Sequence, residues 1–249
     1  DESDDESGEE AKKSGKPDDE DKKDVKPVIG QDKADVKPDK VIDATGQDLI
    51  AFRRMVYLTI RSSVRHEEVV HKLLKSNIAP ELREELCQMI LDCCGQERTY
   101  ESIYGLVASK FCQLNRREYP PKFEKLFEQF YEAVHMFETN KIRNVSKFYA
   151  HLLTTESIDW SCLCCLKLRE DATTSAGRCF IKFLFQELVS VLSMSTLREY
   201  IQEPSKADGF KDLFPKEPEQ DVIFAINFFT FSGLGELTEE LRQELVARQ

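Results

Sequence analysis

No stretch of this 249-residue chain comes near the roughly 18 successive apolar residues that a single membrane-crossing helix needs, which excludes such a span. The acidic, polar opening residues read as neither a secretory signal nor a transit peptide. No aromatic residue occurs in the first 48 positions, Phe52 being the first. That segment carries 17 acidic residues against 9 lysines, while the remaining 201 residues carry 29 acidic against 26 basic. An acidic stretch without aromatics cannot bury enough apolar area to offset its backbone entropy. Residues 1–47 are therefore expected to form a disordered acidic linker, and residues 48–249 a folded helical domain. The whole-chain balance of 46 acidic to 35 basic residues, net -11, argues against a general polyanion binder. Within the linker, Asp21-Lys-Lys-Asp-Val-Lys-Pro27 returns as Asp32-Lys-Ala-Asp-Val-Lys-Pro38. Low-complexity drift is the plain explanation, and a docking peptide presented twice is the sharper one.

Also missing are the signs of a sheet. No Asn-Gly or Asp-Gly turn joins two alternating apolar runs, and Asp208-Gly209 reads as a loop. No proline lies between Lys122 and Glu203. From Leu49 onward the apolar residues recur at intervals of three and four, the helical period. Val69, Val70, Leu73 and Leu74 form one stripe. Leu82, Leu86, Ile90 and Cys93 form another, with Gly95 as its stop. Thr99 is placed to cap the next helix. Pro120 and Pro121 open another, faced by Phe123, Leu126, Phe127, Phe130, Val134 and Phe137. Later helices are expected near Ala176–Leu192 and Gln220–Phe231, and Thr238 opens the last. The pattern predicts about ten or eleven helices joined by short loops, so successive helices run antiparallel. The expected fold class is all-α: antiparallel helix pairs in a HEAT-like α-solenoid, with degenerate repeats and a surface-presenting role. A compact bundle is the structural alternative.

Enzyme chemistry finds little support. Without a signal peptide the eight cysteines are expected to be reduced, so disulfides are not anticipated. Cys162-Leu-Cys-Cys165 supplies one CxxC, but structural zinc needs a second pair, and none exists. A redox CxxC would need a strand leading into its helix, whereas Trp160 to Leu168 reads as helix. Small buried hydrophobes are the expected role of these cysteines. His66-Glu-Glu-Val-Val-His71 resembles a metalloprotease helix but spaces its histidines five apart, about 140° out of line on a helix. His66 and Glu68 also match the H-x-E of a zinc deaminase, yet no P-C-x-x-C follows. Gly233-Leu-Gly235 lacks the third glycine of a dinucleotide loop and reads as a turn. No catalytic, cofactor or metal residue is assigned. Basic residues gather locally: Arg53, Arg54, Arg61 and Arg65, then Arg116, Arg117 and Lys122, then Lys141, Arg143 and Lys147. A solvated helix face is the plain reading, and contact with RNA or an acidic protein the sharper one.

Several segments taken together carry a family resemblance. They include Phe52-Arg-Arg-Met-Val-Tyr-Leu-Thr-Ile-Arg-Ser-Ser63, Glu85-Leu-Cys-Gln-Met-Ile-Leu-Asp-Cys-Cys94 and Arg98-Thr-Tyr-Glu-Ser-Ile-Tyr-Gly-Leu106. Phe137-Glu-Thr-Asn-Lys-Ile-Arg-Asn-Val145, Phe224-Ala-Ile-Asn-Phe-Phe229 and Gly233-Leu-Gly-Glu-Leu-Thr-Glu-Glu-Leu241 extend it. Residues 50–249 resemble the C-terminal MA-three domain region of the nucampholin, or CWC-twenty-two, family of pre-mRNA splicing factors. The resemblance implies a nuclear scaffold rather than an enzyme. It would dock on spliceosomal core proteins and help couple splicing to assembly of the exon-junction complex. It also implies that the family's grip on the DEAD-box helicase of that complex lies mainly in an upstream domain absent here. Direct RNA contact is left open. The alternative is a helicase-regulating module of the translation-repressor type, whose MA-three domains use acidic loop residues. Glu81, Glu84 and Glu85 are the candidates for that role. Arg116, Arg117, Lys141 and Arg143 are the candidates for docking on the spliceosome.

Overall fold

In the computed structural model, which describes residues 46–248, eleven α-helices and four 3-10 turns succeed one another with no strand among the described residues. The helices form where the apolar period demands them. α1 (Gly46–Arg61) buries Phe52, Val56 and Ile60, one residue per turn. α2 (His66–Lys75) buries Val69, Val70 and Leu73. It carries Glu67 and Glu68 in its first turn and Lys72 and Lys75 in its last, as the helix dipole favours. A 3-10 turn at Pro80–Leu82 leads into α3 (Arg83–Gln96), followed by α4 (Ser102–Leu114). α5 (Tyr119–Glu132) starts with Pro120 and Pro121, whose missing N–H groups fall where a helix has no acceptor for them. α6 (Thr139–Thr154) and α7 (Ser175–Leu192) come next, α7 capped by Thr174, whose Oγ1 accepts from the Gly177 N–H at 3.0 Å. The chain closes with α8 (Met194–Gln202), the single turn α9 (Ala207–Phe210), α10 (Glu219–Phe231) and α11 (Glu239–Ala247).

The order of packing decides between stack and bundle. α1 packs on α3, α2 on α4, α3 on α5 and α4 on α6, so each helix meets the one two places on. That advance by pairs is the signature of antiparallel hairpins stacked as a HEAT-like solenoid. α6 and α7 then share the most extensive helix–helix contact. One contiguous core runs through the described residues. Phe180 of α7 lies at its centre, with ring centroids 5.6 Å from Phe127, 5.7 Å from Phe130 and 5.8 Å from Tyr131. A second aromatic group ties α10 to α7: Phe229 is 5.2 Å from Phe185 and stacks on Phe214 at 4.7 Å.

Local expectations differ from the structure at five points. Thr99 caps nothing: Glu101 is the residue before α4, and Tyr100 dips partly into the core, which keeps this segment extended. α3 does not stop at Gly95 but runs to Gln96, because the buried Asn144 side chain of α6 satisfies its end. Asn144 Nδ2 donates to the carbonyls of Cys94 at 3.3 Å and Glu97 at 2.6 Å. α5 ends at Glu132, and Phe137 reaches Phe130 from beyond a 3-10 turn, stacked at 4.8 Å. Trp160–Cys165 is 3-10 rather than α-helix, and Asp208-Gly209 lies inside α9 rather than in a loop. The expected acidic linker lies outside the described residues up to position 45.

Candidate functional site

The acidic candidates stand where α3 begins. Glu84 is 2.6 Å from Lys125 of α5, and Glu85 is 2.5 Å from Arg53 of α1. The hydrogen bond from Lys125 holds the Glu84 carboxyl below its ordinary range. A further ion pair joins Arg83 to Glu118 at the start of α5. Two of the three acidic candidates therefore clamp α3 to the helices on either side. Glu81, on the 3-10 turn, is exposed and pairs with no cation among the described residues. Such half-exposed pairs contribute about 0–1 kcal/mol each, so they steer register more than they stabilise.

The basic candidates divide the same way. Lys141 lies 3.3 Å from Asp92 and 4.3 Å above the Phe137 ring, across the surface left open by Gly95. Arg143 lies 5.3 Å over the ring of Phe183. Both join α6 to its neighbours. Arg116 and Arg117, on the α4–α5 connection, are exposed and meet no carboxylate among the described residues. Arg116 edges a cleft of about 500 Å³ whose other walls include Glu156, Trp160 and Lys206. Among the described residues no ion pair, hydrogen bond or ring contact links this basic pair to Lys141 and Arg143.

Most of the thiols are packed rather than poised; Cys164 is the exception to the expected burial, because the 3-10 turn leaves it exposed between the half-buried Cys162 and Cys165. Burial pushes Cys93 up to about 11 and Cys112 and Cys165 up to about 12, and raises Cys162 well above its ordinary value. A thiol held protonated is a poor nucleophile and a poor metal ligand. Among the described residues no three His, Cys, Asp or Glu side chains converge as metal ligands would. His151 is likewise held in its neutral form by burial, with Nε2 buried and unpartnered.

Sequence reasoning passed over the exposed apolar residues. Ile50, Tyr57 and Leu58 share a face of α1 with Arg54 and Arg61, and Phe231 at the end of α10 is 89% exposed. The near-continuous apolar run of α10, Val222 to Phe231, was the available signal: a helix apolar on every side leaves something uncovered unless it is central.

A family model described as MA3 domain matches residues 52–159. Over a longer span the chain is similar to curated proteins each named "Pre-mRNA-splicing factor CWC22 homolog". The one from Danio rerio is 48% identical over 205 residues, which is 82% of this chain and 21% of that protein. The one from Mus musculus is 48% identical over 203 residues, covering 82% and 22%. The one from Caenorhabditis elegans is 46% identical over 214 residues, covering 86% and 24%. The chain thus spans about a fifth to a quarter of the length of these relatives.

Proposed function

We propose, from the premise that this chain belongs to the CWC22 family of pre-mRNA-splicing factors, that it is a non-catalytic scaffold module which docks on spliceosomal core proteins in the nucleus. In this reading it helps couple splicing to assembly of the exon-junction complex, with the DEAD-box helicase held mainly by another part of the full-length protein. The observation that carries the reading is the extent of the likeness. Identity near one half persists over 205 residues, well beyond the matched MA3 segment, into the helices that share its core. A stack of helix pairs suits the task, because many weak contacts along one extended surface add up.

The residues proposed to dock follow from which charges are uncommitted. Lys141, Arg143, Glu84 and Glu85 are engaged inside the fold, so reversing them would disturb packing as well as binding. Arg116 and Arg117 are free for a partner on the spliceosome, and Glu81 is free for a helicase. The test is a paired binding assay, with assembled splicing complexes and with the purified helicase. Arg116→Glu with Arg117→Glu is expected to reduce association with splicing complexes several-fold at an unchanged melting temperature. Submicromolar helicase binding by this chain, lost on Glu81→Lys, would overturn the reading in favour of a helicase-regulating module.

A further inference from the structure

Beyond the matched segment the chain builds a second concavity. α8, α9, the segment after α9 and α11 enclose a cleft of about 680 Å³, within the range of ligand-binding pockets. Its floor is apolar: Ile201, Phe210, Phe214, Leu237 and Leu241. The floor is also rigid, since Phe214 stacks on Phe229 and packs edge-on to Phe210 at 6.2 Å. A fixed floor lowers the ordering penalty of binding.

The rim is charged, and mostly of one sign. Asp208, Asp212, Glu217, Glu240 and Glu244 stand against Lys211 and Lys216 on the rim and Arg248 beside it. Two of the acids have partners: Glu244 lies 2.9 Å from Lys216 and 3.7 Å from Arg248, and Glu240 accepts a hydrogen bond from the Gln202 amide. The side chains of Asp208, Asp212 and Glu217 have neither an ion pair nor a hydrogen bond among the described residues. The rim therefore offers an uncompensated negative field above an apolar floor, where low dielectric strengthens a charge pair. Nucleic acid and other anions are repelled by that sign. A cationic group with an apolar body is attracted.

We propose that this cleft docks a short basic segment of a partner protein. Its apolar side chains would rest on Ile201, Phe214 and Leu241, and its Lys or Arg side chains would face Asp208, Asp212 and Glu217. The inference does not depend on which assembly supplies the partner.

The probe is a fluorescein-labelled peptide of paired leucines and arginines, titrated by anisotropy against the full chain. A counterpart with glutamate in place of arginine is the control. The arginine peptide is expected to bind and the glutamate peptide not to. The triple variant Asp208→Asn, Asp212→Asn, Glu217→Gln should bind about tenfold more weakly, with a flatter salt dependence. These carboxylates lie on the cleft rim, so an unchanged melting temperature is expected and separates lost binding from lost fold. Equal affinity of variant and parent would place the binding elsewhere on the chain and overturn the proposal. Direct binding of a fluorescein-labelled single-stranded RNA oligomer to the parent, lost in the triple variant, would overturn it as well.

Discussion

Gly209 presses against the backbone of Trp160 so closely that a β-carbon on Gly209 would lie 2.2 Å from the Trp160 carbonyl oxygen. This contact seats α9 on the 3-10 turn that holds Cys162, Cys164 and Cys165, and it sets Phe210 5.7 Å from the Trp160 ring.

Gly209→Ala should therefore destabilise the protein, although alanine normally favours a helix. The obstructing atom is backbone and cannot swing away, so the overpacking is expected to cost about 1–3 kcal/mol or more. Chemical denaturation of parent and variant measures it. A variant as stable as the parent would show that α9 is free to lift from the Trp160 turn.

Stability should also fall in mildly acid solution in a way traceable to His151. Burial lowers the pKa of this imidazole in the folded chain. The unfolded chain therefore binds the proton at higher pH than the folded one. The contribution of neutral His151 is complete above about pH 6.5, the ordinary histidine value, and is lost as pH falls through the window below it. Melting temperatures recorded between about pH 7.5 and 5 should drop more steeply for the parent than for His151→Asn. Parallel curves would remove His151 as the source.

Protein purified without chelator should hold far less than one zinc per chain by elemental analysis. Cys162 and Cys165 are kept protonated by burial, and among the described residues no second ligand pair stands near them. Stoichiometric, tightly held zinc would overturn the packing role of this CxxC.

Limited proteolysis should trim the segment before α1 first and leave one resistant core beginning near Gly46. The motive is compositional: 17 acidic residues and no aromatic in the first 48 positions. A protected fragment from within residues 1–45 would refute the linker assignment.

The residue pattern alone was enough to establish the all-helical class, most of the stripes that become core, and the entries of α5, α7, α10 and α11. These are local properties: a period of 3.6 residues, a proline pair at a helix entry and acids in a first turn are all written within a few positions. Val70, Phe127 and Leu73 are buried where that period puts them, whereas Leu74, on the edge of the same stripe, is half exposed. Only the tertiary structure decided what the charges do. The partners of Glu84, Glu85 and Lys141 lie 41, 32 and 49 residues away, so a string that looks like an open acidic cluster becomes a clamp between helices. It also decided that Gly95 and Gly209 are sites of close approach rather than turns, and that α8, α9 and α11 wall one cleft. A helix face follows from the spacing of its own residues. A side chain's partner, and a cavity's walls, follow from how distant segments pack, and no spacing along the chain records that.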